Sequence, residues 1–214
     1  MDVHGDGAAP RRTRRSPRGD VRRRLLDSAR VEFAAGGYDG VSLDQIADAA
    51  GFSKGAVYSN FASKNELFLA LMDESIGARL DAARAAAKDA GDADKRAAAR
   101  TVGNAIANEF ATDDDWHVLF VEFWMRAVRD PSIREPFAQH RRHFRQMIAD
   151  LLEEMPSGDE PELTADDIAT TILALSNGLA IERILDKESG SPALFGILLE
   201  RLLVPNDPLQ PVAP

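Results

Sequence analysis

The chain has no cysteine and only four histidines in its 214 residues. Structural disulfides, thiolate metal sites and cysteine-nucleophile catalysis are thereby excluded. Long apolar runs are also missing, since none approaches the roughly 18 to 20 residues that span a bilayer. The Arg-rich start is not followed by the apolar stretch of a secretory signal, so the expected location is cytoplasmic, with no membrane partner. No segment alternates polar and apolar residues with a period of two, and no internal repeat is present, so strands are not expected. A nucleophile–base–orienter set and a Gly-rich phosphate loop after a strand are both absent; the sequence implies neither catalysis nor a cofactor.

What remains is ordinary for a globular chain of one or two domains: 44% hydrophobic residues and 29% charged. The net charge of −9 taken whole argues weakly against nucleic acid. Its distribution argues otherwise. Residues 11–24 hold eight arginines (Arg11, Arg12, Arg14, Arg15, Arg18, Arg22, Arg23, Arg24) and one acid, Asp20. Residues 1–64 carry 11 basic and 8 acidic residues, net +3, whereas residues 65–214 carry 15 and 27, net −12. Residues 1–19 have almost nothing to bury and are expected to form a disordered arm. The arm either is a plain solvated tail or follows the backbone or minor groove of DNA, for which the planar arginine fork is suited.

From Val21 the apolar spacing is helical nearly throughout. Leu25, Leu26, Ala29 and Phe33 share a face, and Gly36-Gly37 supplies a stop. Ser42-Leu43-Asp44-Gln45 reads as a capping box opening a short helix that Gly51 ends. Ser53 caps a second short helix, in which Val57 and Phe61 are i, i+4 partners, and Ser63-Lys64-Asn65-Glu66 opens a longer one. After an Ala-rich stretch at residues 82–99, stripes follow at Trp116–Ala127 and Phe137–Leu152, then helices from Thr164 to Leu185 and about Ser191 to Val204. Pro205, Pro208, Pro211 and Pro214 mark a frayed tail. The expected class is all-α.

Two very short helices joined through a glycine form the arrangement of a helix-turn-helix. The steep turn lets the second helix enter a major groove while the first braces across it. Gly55 removes a side chain near the start of that second helix and permits close backbone approach. Lys54, Ala56, Ser59 and Asn60 on its exposed side are short or basic, as a DNA-facing surface requires. Tyr58 has a hydroxyl able to reach a phosphate, and Lys64 is a second phosphate candidate.

The stretch from Gly36-Gly37-Tyr38-Asp39-Gly40-Val41-Ser42 through Gly51-Phe52-Ser53-Lys54-Gly55-Ala56-Val57-Tyr58 to Ser63-Lys64-Asn65-Glu66-Leu67 resembles the DNA-binding domain of TetR-type regulators. The likeness covers about residues 21–67; the remainder is similar only in size and helical character. It implies an N-terminal three-helix DNA-binding domain followed by a C-terminal helical bundle for ligand binding and dimerisation. It also implies that Ser42 meets a phosphate, that Lys54, Gly55 and Ala56 lie nearest base edges, and that Tyr58 and Lys64 clamp the backbone. Ser53, Ser59 and Asn60 complete the expected surface. Asn60 stands where many members carry histidine and Ala56 where many carry threonine, which bears on operator sequence and not on binding mode.

The corresponding division is a 1–19 arm, a 20–66 DNA-binding domain, a 67–205 effector and dimerisation domain, and a 206–214 tail. Trp116, Phe120, Phe123 and Trp124 either fill a core or line an apolar pocket of the kind found between bundle helices. Asn104, Asn108 and Arg126 are the polar groups expected to orient a ligand there. Ile172, Leu175 and Leu179 with Leu194, Leu198 and Leu202 either close the monomer core or, as the family resemblance implies, build a four-helix dimer interface. The reading is a homodimeric regulator, most simply a repressor released from a palindromic double-stranded operator by a small apolar or aromatic effector. That effector would shift the helix beginning at Ser63. The rival is a helical metal-dependent enzyme using C-terminal carboxylates with His140 and His143, an i, i+3 pair. Against the pair stand Arg141, Arg142 and Arg145, whose charges oppose a second cation, so no metal is expected.

Overall fold

The computed structural model describes residues 18–90, 95–111, 114–153, 163–189 and 191–204. Among them are nine helices and no strand: α1 (Arg18–Gly40), α2 (Leu43–Ala49), α3 (Lys54–Asn60), α4 (Lys64–Ala90), α5 (Lys95–Ala111), α6 (Asp114–Arg129), α7 (Pro131–Glu153), α8 (Ala165–Leu185) and α9 (Pro192–Leu203). The all-α expectation stands. Arg18 and Gly19 open α1; the rest of the expected arm and the 206–214 tail lie outside the described residues.

Local chemistry explains most boundaries. The Gly36-Gly37 stop is real but takes the form of a kink: Gly37 adopts φ 68°, ψ 171° inside α1. At Ser42 the capping box is complete, with the hydroxyl accepting from the Gln45 amide at 3.2 Å and the Gln45 side chain accepting from the Ser42 amide at 2.8 Å. Thr164 and Asp167 build the same reciprocal box at the start of α8. Such caps contribute on the order of 1 kcal/mol each. The box expected at Ser63 is half formed, because Glu66 reaches past it to the Ala62 amide at 2.7 Å.

Two boundaries differ from expectation. α4 runs on to Ala90, taking in part of the Ala-rich stretch, since alanine is the strongest helix former and Ala83 finds a buried place. Pro131 opens α7 rather than merely interrupting, because a first-turn proline forfeits no helical hydrogen bond.

One core cluster runs from Leu25 and Phe33 of α1 through Ile46 of α2 and Val57 of α3 into Leu67, Phe68 and Met72 of α4, and on to Phe123 of α6 and Phe144 of α7. Packing therefore continues across residues 66 and 67. A second cluster gathers Ala83, Val102, Ile168, Ile172, Phe195 and Leu199 from α4, α5, α8 and α9. Within it α5 and α9 cross at Gly103 and Gly196, so close that a Cβ on Gly103 would stand 2.7 Å from the Gly196 Cα. Contrary to the expectation that no apolar run is long enough, α8 would suffice by length and composition to cross a membrane. Its best window has mean hydropathy 1.4, with 28% of it buried inside the protein.

Candidate nucleic-acid interface and effector cavity

The α2–α3 turn is built on Gly51, whose φ of 72° suits a residue without Cβ. The Phe52 amide donates to the Ala47 carbonyl at 2.9 Å and the Arg24 guanidinium to the Ala50 carbonyl at 3.0 Å, which fixes the angle between the helices. Arg24 also lies 4.6 Å from the centre of the Phe52 ring, and Arg22 lies 5.0 Å from that of Phe61. Two arginines of the basic run thus brace the turn. α3 is anchored by Val57 and Phe61, both buried, and the Ser53 hydroxyl accepts from the Ala56 amide at 3.3 Å.

The opposite side of α3 is open. Tyr58 is 54% exposed, and Lys54, Gly55 and Ser59 are exposed with it. The Asn60 amide and the Ser59 hydroxyl donate to the Ala56 carbonyl at 2.8 and 2.9 Å. A Cβ on Gly55 would meet nothing nearer than the Ser53 hydroxyl at 3.9 Å, so packing within the protein does not demand glycine there. Lys54 pairs with Asp44 across the turn at 2.5 Å, and that hydrogen bond raises its pKa and keeps it cationic. Ser42 is exposed at the start of α2.

Lys64 has a different setting. Its ammonium donates to the Tyr38 and Val41 carbonyls, each at 2.8 Å, and sits 4.5 Å from the centre of the Tyr38 ring. These carbonyls follow the Gly37 kink, and partial burial there pulls the lysine pKa down. Lysine thus ties α4 to the link between α1 and α2.

That link is also held from α6. Glu122 accepts from the Tyr38 amide at 2.8 Å, Arg126 pairs with Asp39, and the Arg126 guanidinium lies 5.7 Å from the Tyr38 ring centre. The Tyr38 hydroxyl donates to the Asn65 side chain, and its ring packs on Phe33, Phe68 and Phe123 at 5.6, 5.4 and 5.1 Å. Burial drives the phenol pKa well upward, so Tyr38 stays neutral and donating.

Two turns back along α6, Trp116, His117 and Phe120 face a cavity between α4, α5, α6, α7, α8 and α9. It holds about 890 Å³ of empty space, counting the solvent-open mouth, and bundle interiors of this kind are common places for small molecules. Met72, Ile76, Val102, Ile106, Ile148, Leu151 and Ile172 supply an apolar wall, and Arg79, Arg141, Ser176 and Asn177 supply the polar groups. Trp116 stacks on Phe68 at 5.6 Å, and Phe68 on Phe123 at 4.2 Å, so an aromatic column leads from the cavity wall to Tyr38.

Residues 25–71 match the model of bacterial regulatory proteins of the tetR family, and residues 93–204, over half of the chain, match the C-terminal domain of BetI-type transcriptional repressors. The chain belongs to the TetR family. It is 42% identical over 66 residues to the HTH-type transcriptional activator FasR of Mycolicibacterium smegmatis, covering 31% of this chain and 30% of that one. It is 30% identical over 132 residues to the HTH-type transcriptional repressor AcnR of Corynebacterium diphtheriae, covering 62% and 63%. The matches to these two relatives thus span less than two thirds of either. A TetR-family regulator from Rhodococcus sp. shares the fold with TM-score 0.69 at 19% identity, covering 86% of this chain and 99% of that one.

Against this TetR framework the expected site residues divide. Ser42, Ser53, Lys54, Gly55, Ala56, Tyr58, Ser59 and Asn60 come together at one end of the molecule, on α2, α3 and their caps. Of the expected ligand residues, Trp116 and Phe120 line the cavity. The others are placed elsewhere. Phe123 is fully buried in the aromatic column, Trp124 is 37% exposed, and Asn108 faces solvent. Arg126 belongs to the contact with α1, and Asn104 is packed against the Gly196 backbone at the α5–α9 crossing. The polar groups that do face the cavity come from α4, α7 and α8, with His117 from α6, which the α6 stripe alone did not indicate. Of the six residues expected at a dimer interface, Ile172 is buried on the cavity wall, Leu194 is 39% exposed, and Leu175, Leu179, Leu198 and Leu202 are half-buried. His140 lies 3.1 Å from Asp73 while His143 is exposed, and among the described residues no three metal-ligating side chains cluster.

Proposed function

We propose that the chain acts as a homodimeric, cytoplasmic repressor that binds a palindromic operator through α3 and releases it when a small molecule fills the bundle cavity. One observation carries the reading: α6 both walls the cavity with Trp116, His117 and Phe120 and grips the end of α1 with Glu122 and Arg126. A ligand that displaces α6 thereby moves the support of the helix-turn-helix. The linkage lowers operator affinity only by the ligand's preference for the displaced form.

At the operator, Lys54 leaves Asp44 for DNA, and Gly55 and Ala56 approach base edges. Ser42, Ser53, Tyr58, Ser59 and Asn60 meet the surrounding backbone and groove edge. Lys64 spends two of its three donors on carbonyls, which leaves one for a phosphate. Support for dimerisation comes from α8, mostly apolar from Ile168 to Ile181 yet only partly buried, and from exposed Leu185, Leu194 and Ile197. An apolar face of that extent favours a second copy of the same face.

The test is fluorescence anisotropy with the DNA upstream of the chain's own gene against random duplex of equal length. Wild-type protein is expected to prefer the upstream DNA by about 10³-fold or more. Lys54→Ala and Tyr58→Phe are each expected to weaken that binding about tenfold per protomer, equivalent to the loss of one charge-assisted contact at each half-site, with unchanged thermal unfolding. Equal affinity for both duplexes would overturn the proposal.

A further inference from the structure

Three arginines lie within five residues of α7, and their settings differ. Arg142 pairs with Glu135 at 2.7 Å and Arg145 with Asp166 at 2.6 Å. Arg141 turns to the cavity and has no carboxylate partner among the described residues; its guanidinium lies 5.1 Å from the centre of the Trp124 ring. Burial and the nearby Arg145 charge both depress its pKa, with no anion compensating. A guanidinium remains charged even so. A second arginine, Arg79 of α4, and His117 of α6 share the cavity lining, and that lining includes no aspartate or glutamate. A cavity of this kind disfavours cations and leaves the half-buried Arg141 charge in want of an anion.

We propose that the effector is an apolar molecule ending in a single carboxylate, which docks on the Arg141 guanidinium while its hydrocarbon body lies among Met72, Ile76, Trp116 and Phe120. The planar fork of arginine fits a carboxylate through two parallel hydrogen bonds. One carboxylate suffices for one guanidinium, and two of the neutral polar groups at hand are partly committed. Ser176 and Asn177 both donate to the Leu173 carbonyl, at 3.2 and 2.7 Å. The proposal rests on the regulator reading only in calling the bound molecule an effector.

The experiment titrates the full chain with decanoate, decan-1-ol and decyltrimethylammonium, each below its micellar concentration. The readout is the fluorescence of the two tryptophans, one in the cavity wall and one beneath Arg141. Decanoate is expected to bind at least about tenfold more tightly than decan-1-ol, and the cation not measurably. Arg141→Gln is expected to erase the preference for decanoate over decan-1-ol while leaving decan-1-ol affinity unchanged, and Arg141→Lys to restore part of it. A variant that kept the full preference, a cation that bound as well as the acid, or failure of all three probes to bind would overturn the proposal. Binding of the ligand-free protein to its upstream DNA, measured in parallel, reports on the regulator reading alone. Upstream DNA bound without any response to decanoate would overturn the effector assignment and leave the DNA reading standing. Decanoate bound in the absence of DNA recognition would overturn the DNA reading and leave the carboxylate site on Arg141 standing, its ligand no longer an effector.

Discussion

Three helices meet on Tyr38. Its ring is sandwiched among residues of α1, α4 and α6, its hydroxyl reaches Asn65 of α4, and its amide is taken by Glu122 of α6. The amide needs that outside acceptor because the Gly37 kink turns the backbone out of helical register just before it. Removing the acceptor leaves a donor on a residue only 2% exposed, and an unsatisfied buried donor costs about 1–3 kcal/mol. Glu122→Ala is therefore expected to lower stability by an amount in that range, read as a shift in urea midpoint at unchanged slope. Glu122→Gln, which keeps the accepting oxygen, is expected to lose less than half as much. If both variants unfold with the wild-type midpoint, the Tyr38–Glu122 bond holds nothing. None of this contact was visible in sequence, where Glu122 is one acid on the outer side of an apolar stripe. It depends on two chain segments 84 residues apart arriving together.

At the scale of helices, the α5–α9 crossing is set by backbone and not by side-chain bulk. A Cβ on Gly196 would fall 2.1 Å from the Asn104 Oδ1 and 3.0 Å from the Arg100 carbonyl, and the Gly103 Cβ would press on the Gly196 backbone at 2.7 Å. At Gly196 the Asn104 side chain can turn aside, but at Gly103 the neighbour is backbone and the axes must separate to admit a methyl group; overpacking of this kind costs about 1–3 kcal/mol. Gly103→Ala is expected to lower the thermal midpoint through such a loss, whereas Gly77→Ala, with open space around its Cβ on α4, is expected to raise or leave it, because alanine favours helix. Comparison of the two melting curves decides it, and a harmless Gly103→Ala would show that the helices are not in fact that close. The sequence marks both glycines only as interruptions in apolar helices. By contrast, the short elements were legible, because the Ser42 and Ser53 caps act over three residues. The exposed side of α3, proposed to meet DNA, was legible for the same reason: α3 is seven residues long, with Val57 fixing which side is inward and hence that Tyr58 and Lys54 point out. The cavity was half legible. Periodicity places Trp116 and Phe120 on the inner side of α6 but does not say which polar residues of other helices face them. Arg141 could be found only by seeing which of three neighbouring arginines lacks an acid.

Over the whole molecule the charge is segregated, net +3 in residues 1–64 and net −12 in residues 65–214. A potential of that pattern steers DNA to one end, because acidic bulk repels the duplex at every other approach. Two of the basic residues, Arg22 and Arg24, are engaged with the Phe61 and Phe52 rings and brace the helix-turn-helix itself. Arg11, Arg12, Arg14 and Arg15 precede α1, and they decide whether the arm belongs to the interface. Each phosphate neutralised on B-DNA steepens the fall of log K with log salt by about 0.9. Four arginines from each of two protomers would thus contribute a slope of up to about 7. Deleting residues 1–17 is expected to flatten the salt dependence of operator binding by several of those units, while Lys54→Ala flattens it by about one per protomer. The deletion is also expected to leave the preference for the upstream sequence over random duplex largely intact, because phosphate contacts carry no base information. Titrations between 50 and 200 mM potassium chloride, a range of about the width over which such slopes are resolved, separate the two contributions. An unchanged slope after the deletion would assign the arm to solvent and leave the electrostatic footprint to helices α1 to α4. A flattened slope with lost sequence preference would instead place arginines of the arm against base edges in the minor groove.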